Sequence, residues 1–230
     1  MGVRRQVLNS QTRPPGFPYV DQVVNRREEH KAETRKAILS AAALEFATRG
    51  YGGTSFATIA AAMGRPKSAV GHHQFASKQE IAVAITEQQY DDWRKLVERA
   101  EHVPPGLARL LSVMLTMVLD AEVNPFAAAT VRLLTDAEVV KLALPPSVFS
   151  WRKYGAQQIQ LTLNDLEGVT VGADEVMDRV LVTTLGVWTA KIHGIEEVAT
   201  SRRLMSAWGD MIVGLGLPSS GSVLERVARL

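Results

Sequence analysis

The sequence predicts an all-α protein: a small amino-terminal domain of three helices built on a helix-turn-helix, followed by a larger carboxy-terminal helical domain. Three observations predict it. Residues Thr54–Phe75 (TSFATIAAAMGRPKSAVGHHQF) read as two short helices folded about one tight turn. Elsewhere apolar residues recur at helical spacing, in segments cut by breakers such as Pro104–Pro105–Gly106 and Pro145–Pro146. No segment competes as a strand, apart from the short turn region Gly168–Gly172. The expected division is a flexible arm over 1–30, the helix-turn-helix domain over 31–80, the larger domain over 81–218 and a tail over 219–230.

Residues 1–30 carry Pro14, Pro15, Gly16 and Pro18 without a sustained apolar period, which predicts an extended or flexible segment. Arg26, Arg27, Lys31 and Arg35 lie just before and inside the first helix. Two readings of this arm stand side by side: a strand of cations along a nucleic-acid backbone or in its minor groove, and an inert tail. The first helix is expected over about Ala32–Arg49, with Ile38, Ala41, Ala42 and Phe46 on its inner face.

Thr54 or Ser55 caps the next helix, because a hydroxyl accepts the free N–H groups of an opening turn. Phe56, Ile59, Ala60 and Met63 share one face of it. Gly64 tolerates positive φ and stops it, and Pro66 is suited to opening the following helix, expected over about Lys67–His73. That second helix is polar and basic, with only Ala69 and Val70 as buried candidates. It has little core to serve. A helix-turn-helix lays such an element in the major groove of DNA; an ordinary helical hairpin is the alternative.

Ser77 and Glu80 have capping-box spacing and start a long helix that runs to about Ala100. Leu107–Glu122 is apolar nearly all round and belongs at the centre of a core. Further helices are expected over about Pro125–Ala137, Ser147–Leu166, Asp174–Ile192 and Ile195–Gly214. The last dozen residues read as a short helix or a loose tail.

Net charge is +2, but unevenly spread. Residues 34–80 carry six Lys and Arg against two Asp and Glu, and residues 81–230 carry fourteen against eighteen. A basic end on an acidic remainder suits a polyanion partner at one end only. There is no cysteine, so disulfides and thiolate metal sites are excluded. The best membrane candidate, Leu107–Leu119, is short and holds Arg109, and Arg4–Arg5 precede no apolar run. A cytoplasmic protein without a membrane partner is expected. His30, His72, His73, His102 and His193 lack metal-ligand spacing, and no phosphate loop or nucleophile motif is present. Neither a catalytic residue, a metal nor a cofactor is expected, and the chain does not read as an enzyme.

The ordered set Thr34, Ile38, Ala41, Ala42, Phe46, Gly50, Tyr51, then Thr54, Ile59, Ala60, Gly64, then Lys67, Ala69, Phe75, Lys78 and Glu80 resembles the DNA-binding domain of the TetR family of repressors over roughly residues 34–82. The pattern departs at Gly71, where the family usually has an aromatic residue, and runs one residue longer between Gly64 and Phe75. Glu45 stands where the family usually has an apolar residue, with Leu44 exchanged for it. In the second domain, Phe126–Asp136 (FAAATVRLLTD), Phe149–Arg152 and Trp208–Pro218 (WGDMIVGLGLP) resemble the γ-butyrolactone-type autoregulator receptors of actinobacteria.

The resemblance implies a homodimeric repressor that binds a near-palindromic double-stranded DNA operator and leaves it on binding a small molecule of the γ-butyrolactone, furan or butenolide type. A pseudo-receptor or a multidrug-sensing regulator with another ligand is the alternative, and a helical enzyme a remote one. The expected DNA contacts are Arg35, Thr54, Ser55, Arg65, Lys67 and Lys78, with Ser68, His72 and His73 nearer the bases. In the second domain, the ligand-binding and dimerisation domain on this reading, Trp151 is the expected ligand wall, though a Trp near a helix start is also ordinary core. Tyr154, Gln158 and Thr162 share its helix side, each a ligand contact or a structural hydrogen bond. Met114 and Met117 read as pocket wall or gap-filling core, Trp188 as pocket or dimer seam, and Tyr90 as a sensor on the connecting helix. Val180, Leu181, Thr184, Val187, Leu204, Trp208, Met211 and Leu215 are expected to form a four-helix dimer seam.

Overall fold

The computed structural model describes residues 18–70, 74–147, 150–195, 198–217 and 220–230. The described chain is helical: α1 (Pro18–Gly53), α2 (Phe56–Ala62), a 3₁₀ turn (Lys67–Ala69), α3 (Lys78–Arg99), a second 3₁₀ turn (Ala100–His102), α4 (Leu107–Ala121), α5 (Pro125–Val140), α6 (Trp151–Leu163), α7 (Ala173–Ile192), α8 (Thr200–Gly214) and α9 (Ser220–Leu224). Two differences from the sequence reading stand out at the amino-terminal end. Residues 18–31 continue the first helix rather than forming an extended arm; residues 1–17 lie outside the described residues. This part of the sequence carries no apolar stripe, and a stripe reports burial rather than helicity. The second element of the helix-turn-helix shows a 3₁₀ turn, Lys67–Ala69, among the described residues; the expected continuation over 71–73 lies outside them.

Two large cores and a small cluster of Leu96, Ala100 and Val113 hold the described residues together. The first gathers Ile38, Ala42 and Phe46 of α1, Ile59 and Ala60 of α2, Val70, Phe75, and Ile81, Ala82 and Ile85 of α3. Ala129 and Leu133 of α5 complete it, so this core of the helix-turn-helix domain, called the reader from here on for the role expected of it, closes only against the second domain. Glu45 is buried and paired with Arg49 at 3.2 Å, while Leu44 is half exposed, which confirms their exchanged places. The second core is centred on α4, whose Leu107, Leu110, Leu111, Met114 and Leu115 pack with Ile159 of α6, Val176, Met177 and Val180 of α7, and Leu204, Trp208 and Ile212 of α8. Among the described residues no single helix is long and apolar enough to cross a membrane.

Gly155 of α6 faces Met177 of α7. A Cβ on Gly155 would stand 2.1 Å from the Met177 sulfur, so the Met177 side chain occupies the space that position 155 leaves open.

Candidate nucleic-acid interface and ligand groove

The turn of the reader is fixed by backbone chemistry. α2 opens with a reciprocal box: Ser55 Oγ accepts from Thr58 N at 3.2 Å, and Thr58 Oγ1 accepts from Ser55 N at 3.0 Å. It ends at Gly64, with φ +64°, and Arg65 N donates back to the Ala60 carbonyl at 2.9 Å. This leaves Arg65, Lys67 and Ser68 exposed on one corner, while Val70 is fully buried and anchors the turn to the core. His72 and His73 lie outside the described residues.

Three expected DNA contacts take on structural work. Thr54 is 2 % exposed and its hydroxyl donates to the Gly50 carbonyl at 2.8 Å, so it cannot serve a phosphate; the expectation for its side chain is corrected. Lys78 Nζ donates to the carbonyls of Tyr51 at 2.6 Å and Thr54 at 2.8 Å, and sits 4.0 Å over the Tyr51 ring. It clamps the start of α3 to the end of α1, and partial burial lowers its pKa from the ordinary lysine value. Its third N–H remains, and with Lys67 it lines a cleft at the start of α2 of about 310 Å³. Arg35 donates to the Gln74 carbonyl at 3.2 Å and covers the Phe75 ring at 4.1 Å, holding the far side of the loop that follows the reading turn.

The second domain holds a ladder of aromatic rings. Tyr90 lies 5.9 Å from Trp93 on α3, Trp93 meets Trp151 edge-on at 5.8 Å, and Trp151 meets Tyr154 edge-on at 6.3 Å on α6. A groove of about 270 Å³ opens beside it, between α3 and α4. Gln89 and Trp93 form one wall, Thr116 and Met117 another, and Arg229 and Leu230 close one side. Leu230 N donates to Thr116 Oγ1 at 2.9 Å and Ala228 N to Ser112 Oγ at 3.1 Å, so the tail is laced onto α4. Gln89 is 1 % exposed and Trp93 4 %, yet neither Gln89 Oε1 nor Trp93 Nε1 has a hydrogen-bond partner among the described residues. Unmatched buried polar atoms are costly, and two of them belong to residues of one wall. Burial pushes the Tyr90 and Tyr154 hydroxyls above the usual tyrosine range, so both are neutral hydrogen-bonding groups at neutral pH.

The other expected ligand residues divide. Trp151 stands behind Trp93 rather than in the groove wall. Gln158 and Thr162 are corrected to structural caps: Gly106 N donates to Gln158 Oε1 at 3.0 Å and Leu107 N to Thr162 Oγ1 at 2.7 Å, closing the start of α4. Met114 belongs to the second core and Met117 to the groove. Trp188 lines a different cleft, near the end of α7. Gln89 and Trp93 were not singled out by sequence reasoning as ligand residues, although they continue the four-residue step of Ile81 and Ile85 on the buried side of α3.

The expected dimer residues are also redistributed. Val180, Leu204 and Trp208 are fully buried within the chain, and Trp208 Nε1 donates to Thr184 Oγ1 at 3.2 Å. These hold α7 to α8 and have no surface for a partner. Leu181, Val187, Met211 and Leu215 are half-buried against the same core. The outward face of the pair instead shows Val182 (72 % exposed), Leu185 and Gly186 on α7 and Val213 on α8.

The family of bacterial regulatory proteins of the tetR family matches residues 38–85, which span the reader core from α1 into α3. No curated protein matches the chain by sequence. Among solved structures, a γ-butyrolactone receptor described as ArpA-like superposes with a TM-score of 0.67 at 23 % identity, over 86 % of this chain and 96 % of that one. CprB from Streptomyces coelicolor, in complex with its biological operator sequence, gives a TM-score of 0.66 at 26 % identity, over 86 % and 96 %. SmeT, the repressor of the Stenotrophomonas maltophilia multidrug efflux pump SmeDEF, gives 0.55 at 22 %, over 78 % and 89 %.

Proposed function

We propose that this chain is a DNA-binding regulator of the tetR family, whose model matches residues 38–85, and that it acts as a homodimeric repressor released from its operator by a small signalling molecule of the γ-butyrolactone, furan or butenolide type. The observation that carries the ligand reading is the groove wall of Gln89 and Trp93, with buried polar atoms beside aromatic rings. A lactone or furan acid brings an apolar body and one or two polar atoms, which is the complement of such a wall. Trp151 backs Trp93 and holds its ring in place. The likeness to the γ-butyrolactone receptors supports this class; the likeness to SmeT supports a second reading, a sensor of another largely apolar compound.

On the DNA side, Lys67 and the free N–H of Lys78 serve one phosphate, while Arg65 and Ser68 stand at the exposed corner that enters the major groove. Two copies pair through the outward stripe of Val182, Leu185 and Gly186 with Val213, where a glycine permits close helix approach, so that two readers meet two half-sites. The paired stripe is an antiparallel helix seam of the kind that four-helix bundles use. The test is selection of bound sequences from random duplex DNA. A repressor of this kind enriches a near-palindrome bound by two copies; enrichment of no sequence, or of a single half-site bound by one copy, refutes the reading.

A further inference from the structure

A second cleft, of about 360 Å³, lies where α1, α5 and the end of α7 meet. Its walls include Ala47, Ala128 and the ring of Trp188, and three charged side chains line it: Glu122, Arg132 and Lys191. Glu122 accepts a hydrogen bond from the Thr200 hydroxyl. Arg132 donates from Nε to Asp136 at 2.9 Å, which leaves the other guanidinium edge uncommitted by that bond. Lys191 has neither an ion pair nor a side-chain hydrogen bond among the described residues. The cleft therefore sets Lys191 and the outer edge of Arg132, itself paired with Asp136, against Glu122, above an apolar floor.

We propose that this cleft is a second effector site, separate from the Gln89–Trp93 groove, for a small aromatic carboxylate. The size is at the lower end for small-molecule sites. Arginine's planar fork matches a carboxylate, Lys191 adds a point charge, and the Trp188 ring offers a face to an aromatic body. The groove also holds cations, Lys95, Arg99 and Arg229, beside Asp92 and Asp120, so the test below has to separate the two sites.

The cleft also touches the joint of the reader. A Cβ on Gly50 would stand 2.8 Å from Asp136 Oδ2 and 3.4 Å from Arg132 Nε. Gly50, with φ +67°, breaks α1, and its carbonyl receives the Thr54 hydroxyl just before α2. A carboxylate that draws Arg132 toward the cleft competes with Asp136 and changes the packing of this pair against that joint. Binding of the anion and binding of DNA are then coupled, and the coupling is reciprocal. This arm rests on the repressor reading; occupancy of the cleft does not.

The test uses 2-naphthoate and the full chain, with the probe's own fluorescence polarisation as readout. Saturable binding is expected, weakened about tenfold or more by Arg132→Gln and by Lys191→Gln, with uncharged 2-naphthamide binding about tenfold less tightly than the acid. Lys191 is at the end of α7 outside both cores, so Lys191→Gln decides the matter if Arg132→Gln does not fold, with circular dichroism confirming the fold. Absence of saturable binding, equal binding of acid and amide, or undiminished binding by Lys191→Gln overturns the site. So does loss of naphthoate binding in Trp151→Ala with retention in Lys191→Gln, which places the probe in the groove. If naphthoate binds as expected while the chain selects no DNA, the site stands and the repressor reading fails.

Discussion

Trp93 of α3 meets Trp151 of α6 edge to face, with ring centroids 5.8 Å apart. One ring belongs to the helix that begins at the reader, the other to a helix wholly within the second domain. α3 starts at Ser77, where Lys78 grips the end of α1, and carries Ile81 and Ile85 in the reader core before Trp93 reaches the groove. A displacement of Trp93 is thus a displacement of the same stiff element that holds the reader, which is what coupling between distant sites requires.

Removing the backing ring tests the groove. Trp151→Ala is expected to lower affinity for a γ-butyrolactone ligand about tenfold or more, while DNA affinity without ligand stays within about threefold. Calorimetric titration of the ligand and anisotropy of labelled DNA check the two halves.

Gln89→Leu separates a binding group from a packing group. Its buried amide oxygen has no partner, so an apolar side chain of similar size is expected to leave the melting temperature unchanged or raise it. Ligand affinity should nonetheless fall. A marked loss of stability would show that Gln89 serves the fold instead.

Two lysines of the reader are expected to differ. Lys67→Ala should weaken all DNA sites alike and flatten the salt dependence by about one unit of slope. Lys78→Ala should do this and also destabilise the protein by about 1–3 kcal/mol, because two carbonyls lose a charged donor and Tyr51 loses its cation. Denaturant melts beside binding isotherms distinguish them.

The dimer seam makes a paired prediction. Val182→Glu or Leu185→Glu puts charge on the outward stripe and should give folded monomers in sedimentation velocity runs. Trp208→Glu puts it inside the chain and should unfold the second domain, since an unpaired buried charge is strongly destabilising. A folded dimer of unchanged strength in Val182→Glu would place the seam elsewhere.

Much of the architecture is legible in the sequence wherever an element is half-buried. The caps at Ser55 and Ser77 and the stop at Gly64 are local chemistry, and they fall where residue type alone places them. The amino-terminal extension of α1 is not legible, because its sequence has no apolar period and Pro14, Pro15, Gly16 and Pro18 read as breakers. The site is harder for a different reason. Gln158 and Thr162 lie on the Trp151 side of α6, as spacing says, but whether they meet a ligand or the start of α4 depends on a glycine turn fifty residues earlier. Likewise Val180 and Val182 are both apolar and two residues apart; only the packing of α7 on α8 reveals which of them faces outward. Gln89 had a readable signal, a polar residue in the four-residue register of Ile81, Ile85 and Trp93.

The most direct test of ligand-controlled repression uses the near-palindromic DNA that the chain itself selects. Anisotropy of that DNA is followed with the full chain while an alkyl γ-butyrolactone series is titrated in, for the parent, Trp151→Ala and Tyr90→Phe. The account predicts that at least one lactone lowers the parent's DNA affinity about tenfold or more at saturation. Trp151→Ala should need far more ligand for the same release, and Tyr90→Phe, which keeps the ring on Trp93 but loses the hydroxyl, should bind ligand yet release less DNA. A parent that binds a lactone in the groove and holds its DNA undiminished at saturation would contradict the account.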